Sequence, residues 1–157
     1  MAFWVASVEA GALGTMKLFA GIALTLSIVM GAPSVGQAAT LVAKVDISSQ
    51  TMTVTHRGKV AYRWKVSTAR RGKVTPAGTW SAKWLSKNHR SSRYNGAPMP
   101  YSVFYNGNYA VHGTNQVGRL GSPASAGCVR LHTENARIFY ELARREGLKN
   151  TRIIVHR

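Results

Sequence analysis

Apolar residues recur at every second position through residues 41–66 and again through 101–111. That period fits a strand, in which alternate side chains share a face, and excludes an amphipathic helix. Leu41, Ala43, Val45 and Ile47 alternate with Val42, Lys44 and Asp46, which predicts a first strand. Met52 and Val54 stand among Thr51, Thr53 and Thr55, a second. After a turn at Arg57-Gly58, Val60, Tyr62, Trp64 and Val66 alternate with Ala61, Arg63, Lys65 and Ser67. This predicts a third strand with an apolar face, completing a meander. Arg70-Arg71-Gly72-Lys73 is a basic loop, and the Thr75-Pro76-Ala77-Gly78 turn delivers a strand on which Trp80, Ala82 and Trp84 face one way. Ser86 to Pro100 has no period and reads as loop. Tyr101, Val103 and Tyr105 then alternate up to Asn106-Gly107, a pair that tolerates positive φ and predicts a hairpin. Tyr109 and Val111 lie on the return strand, with His112 at its end.

Beyond Val111 the pattern changes. Gly113 to about Gly127 is a long aperiodic loop, and segments of that kind in compact domains are functional or disordered. Cys128 to Leu131 reads as a short buried segment. Thr133 is the predicted N-cap of a helix to Glu146, with Ile138, Phe139, Leu142 and Ala143 as its apolar stripe, Glu141–Arg145 as an i,i+4 pair and Gly147 as its C-cap. Ile153-Ile154-Val155 is a last strand. The predicted class is mainly β, a sandwich or meander with one C-terminal-side helix packed against it.

The first residues belong to another kind of segment. Lys17 precedes an apolar run from Leu18 to Met30, followed by small residues ending in Gly36-Gln37-Ala38. A basic start, an apolar centre and small residues before the cleavage point describe a secretory signal peptide, residues 1–38, with Met16 as its natural start and 1–15 as an upstream extension. The apolar run is shorter than the roughly 18 residues that a spanning helix needs, so no stable membrane span is expected. One domain follows, residues 39–157, in a periplasmic or cell-envelope location.

Charge narrows the partners. Lys17 and Glu9 are the charged residues of the first 38, so the remainder keeps the full balance of +16. No acidic residue lies between Asp46 and Glu134. A paired-carboxylate hydrolase cannot be built from such a stretch. The five histidines are scattered and no cluster has metal-ligand spacing, so neither metal nor cofactor is expected. An excess of cations calls for an anionic partner, and export favours an envelope polymer over nucleic acid.

The chain has one cysteine, Cys128, and a histidine, His112, sixteen positions before it. A single cysteine forms no internal disulfide; it is a buried small hydrophobe or a reactive thiol. Taken alone, Cys128 reads as the former and His112 as a satisfied strand-end histidine. Joined by a loop with glycines at 113, 118, 121 and 127, they read as nucleophile and base. Gly127 and Gly113 clear space and leave backbone N–H groups for an oxyanion, with Ser125 in support. No carboxylate is placed to orient the imidazole, so a backbone carbonyl or a hydroxyl such as that of Ser125 is expected to do it.

His112-Gly113-Thr114 followed by Ser125-Ala126-Gly127-Cys128-Val129-Arg130-Leu131 resembles the signature of the L,D-transpeptidase family, the YkuD-type catalytic domain. Thr75-Pro76-Ala77-Gly78-Thr79-Trp80 and Tyr94-Asn95-Gly96-Ala97-Pro98-Met99-Pro100-Tyr101 extend the likeness, which covers about residues 40–156. Many members have His where this chain has Ala126. The resemblance implies a YkuD-like β-sandwich and an exported cysteine acyltransferase acting on peptidoglycan tetrapeptide stems. Cys128 would form a thioester as D-Ala leaves, and an amine would take the acyl group, giving a 3→3 cross-link or attaching an envelope protein to the wall; L,D-carboxypeptidase action is a side reaction. Arg130, Tyr94, Met99 and Tyr101 would contact substrate, whereas His89 and His132 read as surface or structural. Papain-like peptidases place the cysteine before the histidine, and sortase-like enzymes lack the Ser-x-Gly-Cys context. The remaining alternative is a degenerate, non-catalytic basic wall-binding module.

Overall fold

The computed structural model describes residues 38–157; the expected signal peptide, apart from Ala38, and its upstream extension lie outside the described residues. Nine strands and one helix follow in the order β1 (Leu41–Asp46), β2 (Thr51–His56), β3 (Lys59–Lys65), β4 (Gly78–Ser81), β5 (Trp84–Arg90), β6 (Pro98–Asn106), β7 (Tyr109–Thr114), β8 (Val129–His132), α1 (Thr133–Glu146) and β9 (Thr151–His156). They make a five-stranded sheet, β3-β2-β1-β9-β4, and a four-stranded sheet, β5-β6-β7-β8. The core lies between the sheets and under α1. Leu41, Val45, Met52 and Ile153 from the first sheet, Val103, Val111, Val129 and Leu131 from the second, and Phe139 from the helix are all fully buried in it. Each such side chain contributes about 1.5–3 kcal/mol relative to exposure. The mainly β class with one late helix is what the alternation predicted.

The first three strands form the expected meander, but β3 is an edge strand and its apolar face is not covered. Val60 is 55% exposed and Tyr62 37%, with Tyr62 stacked on Trp64 at 4.8 Å. A register shift beside Val54/Thr55 puts Val60 opposite Thr55 and Tyr62 opposite Val54, so the alternation itself breaks there. The segment Trp80 to Trp84 is not one strand. β4 pairs with β9 in the first sheet, β5 pairs with β6 in the second, and the chain changes sheets at Ala82-Lys83.

The predicted loop from Ser86 to Pro100 is mostly a hairpin. Ser86 pairs with Ser102 and Arg90 with Pro98, leaving only residues 91–97 as loop. Both prolines fit because β6 meets β7 only from Val103 onward, so their missing N–H groups interrupt no ladder on that side. The next hairpin turns at Gly107-Asn108, one residue later than predicted, with Asn106 paired to Tyr109. The helix is capped by His132, whose Nδ1 accepts the N–H of Glu134 at 3.3 Å, and Thr133 is already helical. Its ion pairs are Glu134–Arg137 and Glu141–Arg144, spaced three apart, in place of Glu141–Arg145.

β7 and β8 run parallel, and so do β1 and β9. Parallel neighbours cannot be joined by a tight turn; they need a crossover of a dozen residues or more. The long segment after Thr114 is that crossover. A short 3-10 turn at Val117–Arg119 interrupts it, and backbone bonds stitch it to the segment that follows β3: Gly121 N–H to Val66 O at 2.8 Å, Ser125 N–H to Thr68 O at 2.8 Å. Thr68 is itself clamped by the buried Gln50, whose amide gives and takes bonds of 2.6 and 2.8 Å.

Candidate active site

β7 holds His112 in the register of Arg130 on β8, with Val111 beside Val129 and Gly113 beside Leu131. Partners in a ladder point to the same side, and successive residues alternate. Val111, Val129 and Leu131 face the core and are fully buried. His112, Cys128 and Arg130 are out of phase with them and project from the opposite face of the four-stranded sheet. There they line one cavity of about 270 Å³, together with Trp84, His89, Met99, Phe104, Tyr94 and residues of the surrounding loops. Trp84 and Phe104 stack at 3.7 Å with rings 3° apart, and His89 meets Phe104 edge-on at 4.9 Å, which gives the cavity an aromatic wall.

The imidazole of His112 is 5% exposed. Its Nδ1 lies 2.7 Å from the carbonyl of Gly113. A carbonyl only accepts, so Nδ1 carries the proton and Nε2 keeps a free lone pair for use as a base. Burial pushes the pKa down to about 4; the Gly113 hydrogen bond opposes this, and Arg130 and His89 add to it through their charges. The ring is therefore neutral at neutral pH. Burial raises the Cys128 thiol above its usual range, against the lowering effects of the Ala110 N–H and of Arg130. Its Sγ donates to the carbonyl of Asn108 at 3.7 Å. The pair rests as thiol and neutral imidazole, and thiolate forms when a proton is moved.

The backbone before the thiol is fixed tightly. Gly127 has φ +137°, and a Cβ there would stand 2.6 Å from the Tyr109 ring and 2.8 Å from the carbonyl of Val74. Its N–H donates to Ser125 Oγ at 3.0 Å, so this N–H is occupied rather than free for an oxyanion. Its carbonyl accepts from Thr75 Oγ1 at 2.8 Å. Ser125, fully buried, thus shapes the backbone before Cys128 and makes no hydrogen bond to the imidazole; the orienting group is the carbonyl of Gly113, the other candidate named from sequence. Gly113 is glycine for a packing reason too, since a Cβ would come 3.0 Å from Thr133 Cα and 3.1 Å from Pro100.

Of the remaining expected contacts, Arg130, Tyr94 and Met99 line the cavity. Tyr101 does not. Its backbone is left-handed at φ +53°, and its ring packs against Tyr140 of α1, 5.8 Å between centroids. His132 caps the helix. His89, read from sequence as surface or structural, lines the cavity because the segment that carries it is strand β5. Phe104 could have been found: it is a large apolar residue at the polar phase of its strand, between Val103 and Tyr105. A strand that is apolar on both faces must have something covering the second face.

The YkuD family, described as L,D-transpeptidase catalytic domain, matches residues 41–155. The chain belongs to this family. Among curated proteins none matches it. Among solved structures, the YkuD domain resembles an L,D-transpeptidase from Mycobacterium smegmatis at 26% identity and a TM-score of 0.67, covering 76% of this chain and 59% of that one. It resembles an L,D-transpeptidase from Stackebrandtia nassauensis at 25% identity and a TM-score of 0.67, with coverage of 77% and 58%. L,D-transpeptidase 3 from Mycobacterium tuberculosis, solved with a faropenem-derived adduct, shares the fold at 20% identity and a TM-score of 0.65, with coverage of 75% and 60%. The chain thus spans about three fifths of the length of these structures. The signature histidine and cysteine of the resemblance both line the cavity, and the β-sandwich it implied is the fold observed. Among the described residues no helix is long and apolar enough to cross a membrane.

Proposed function

We propose that this YkuD domain is an exported L,D-transpeptidase that uses Cys128 as nucleophile and His112 as base on peptidoglycan tetrapeptide stems. What carries the reading is that His112, on β7, and Cys128, immediately before the parallel strand β8, line one cavity walled by aromatics and rimmed by cations. The scissile bond joins the L-centre of the stem's diamino acid to the terminal D-Ala. As Sγ attacks its carbonyl, the thiol proton passes to His112 Nε2; the C–N bond breaks and that proton leaves on the D-Ala amine. The product is a thioester on Cys128. An amine then attacks the thioester, His112 takes its proton, and Sγ departs. General base help of this kind contributes about 10²–10⁴ in rate. A stem amine as acceptor gives a 3→3 cross-link; an amine on an envelope protein attaches that protein to the wall; water gives a tripeptide.

Two further features support the reading. Stem peptides are rich in carboxylates, which suits a chain with a balance of +16. The proposed signal peptide, residues 1–38, would deliver the domain to the periplasm or cell envelope, where that polymer lies.

The test is product analysis with a disaccharide tetrapeptide. D-Ala release with a 3→3 dimer is the expected result, and Cys128→Ala should abolish both. Equal turnover by Cys128→Ala would overturn the mechanism. Because a relative carries a faropenem-derived adduct, incubation with faropenem should also add mass to this chain and none to Cys128→Ala.

A further inference from the structure

The cavity holds more positive charge than the proposed reaction uses. Arg70, Arg93 and Arg130 all line it. They come from three places in the fold: Arg70 from the segment after β3, next to the Ala69–Ser125 bridge; Arg93 from the loop at the tip of the β5–β6 hairpin; Arg130 from β8. The hairpin loop is built, not loose, since the buried Ser91 Oγ accepts the N–H groups of both Arg93 and Tyr94 at 3.3 and 3.2 Å.

None of the three has a carboxylate partner. The acidic residues among those described are Asp46, Glu134, Glu141 and Glu146, and each is engaged elsewhere: Asp46 by Ser48, the glutamates by Arg137, Arg144, and His56 with Arg57. Arg130 is half-buried and its guanidinium bonds to the neutral amide of Gln116 at 2.9 Å. Arg70 reaches the Ser125 carbonyl at 3.5 Å, a neutral partner again. Arg70 and Arg130 line the same cavity; burial lowers the Arg130 pKa, Cys128 opposes this, and repulsion from Arg70 adds to it. Such repulsion persists unless a ligand brings the opposite charge. A planar guanidinium matches a carboxylate by a two-point fork, which an amide cannot reproduce.

The leaving D-Ala supplies one carboxylate, and one carboxylate leaves most of this charge unmatched. We propose that Arg70 and Arg93, beside Arg130, select a donor stem whose diamino acid carries a free second carboxylate, so that the cavity takes a dicarboxylate donor and discriminates against its amidated form. The inference rests on the transpeptidase reading for the identity of the donor. Arg70 and Arg93 are exposed, so each contributes modestly, and the pair together is worth about tenfold in affinity at low salt.

The experiment is a binding comparison on the full chain carrying Cys128→Ala, which cannot turn over. Calorimetric titration with a disaccharide tetrapeptide bearing the free acid on its diamino acid, and with the same peptide amidated there, should give about tenfold tighter binding of the acid. The preference should shrink as salt is raised, and should fall below about twofold when Arg70→Gln and Arg93→Gln are added, with Arg70→Lys and Arg93→Lys keeping part of it. Equal affinity for the two peptides, or a preference that survives the double Gln substitution, overturns the inference. D-Ala release by the unsubstituted chain is read separately: its absence with both peptides counts against the transpeptidase reading, whereas equal release with both counts against the selectivity alone.

Discussion

Acid should destabilise this domain through His112 before it reaches any carboxylate. The imidazole is 5% exposed and its folded pKa is pushed down to about 4, chiefly by burial. In the unfolded chain the same ring titrates near about 6.5. Above about pH 6.5 both states hold a neutral ring and the group has no effect. Between about 6.5 and 4 the unfolded state binds a proton that the folded state refuses, so stability falls as pH falls. Each unit in that window costs about 1.4 kcal/mol, and at pH 4.5 the loss amounts to about 2.5 kcal/mol. The carboxylates pulled down to about 2, Asp46 by Ser48 and Glu146 by His56, lose their contribution only below this window, as pH falls from the ordinary carboxylate range toward 2. Urea unfolding of the protein and of His112→Gln, followed by tryptophan fluorescence at about pH 7, 6, 5.5, 5 and 4.5, isolates the term, because all other groups cancel in the difference. The unsubstituted protein should lose about 2–3 kcal/mol more than the variant across the window. Stability curves that stay parallel within about 0.5 kcal/mol would refute a buried, neutral His112.

The resting thiol should behave as one raised by burial. Its alkylation by iodoacetamide is expected to accelerate close to tenfold per pH unit from about 7 to 9, and a rate that plateaus below pH 7 would reveal a preformed thiolate–imidazolium pair instead. Gly127→Ala should cost about 2–4 kcal/mol in urea unfolding, since φ is +137° and the new methyl meets the Tyr109 ring and the Val74 carbonyl; a cost below about 0.5 kcal/mol would contradict that geometry. Ser125→Ala should cost about 1–3 kcal/mol by leaving the buried Gly127 N–H unpaired, and should slow faropenem acylation as well. Val60→Thr on the exposed edge of β3 should change stability by less than about 0.5 kcal/mol, although the sequence pattern alone marks Val60 as part of a buried face.

The amino-acid sequence by itself determined the class of fold and singled out the two groups proposed to react. Strict alternation in β1 and β2 forces a strand whatever surrounds it, and both strands lie where the period puts them. The helix and its Gly147 stop follow from local rules as well. His112 and Cys128 were legible because each residue type is scarce and chemically distinctive. Only the tertiary structure decided that those two groups line one cavity. The parallel pairing of β7 with β8 does it, and a parallel pair leaves no local signature beyond the length of the crossover between them. The same limit hid β5: Ser86 to Arg90 is polar on both faces and becomes a strand only because β6 pairs with it, which brings His89 into the cavity. It also misled for β3, whose apolar alternation predicts a buried face, while its place at the sheet edge leaves Val60 and Tyr62 in solvent. Periodicity reports which side chains can share a face. What lies across that face is set by contacts between residues far apart in the chain, and those contacts gather the aromatic wall, the arginine rim, His112 and Cys128 into one cavity.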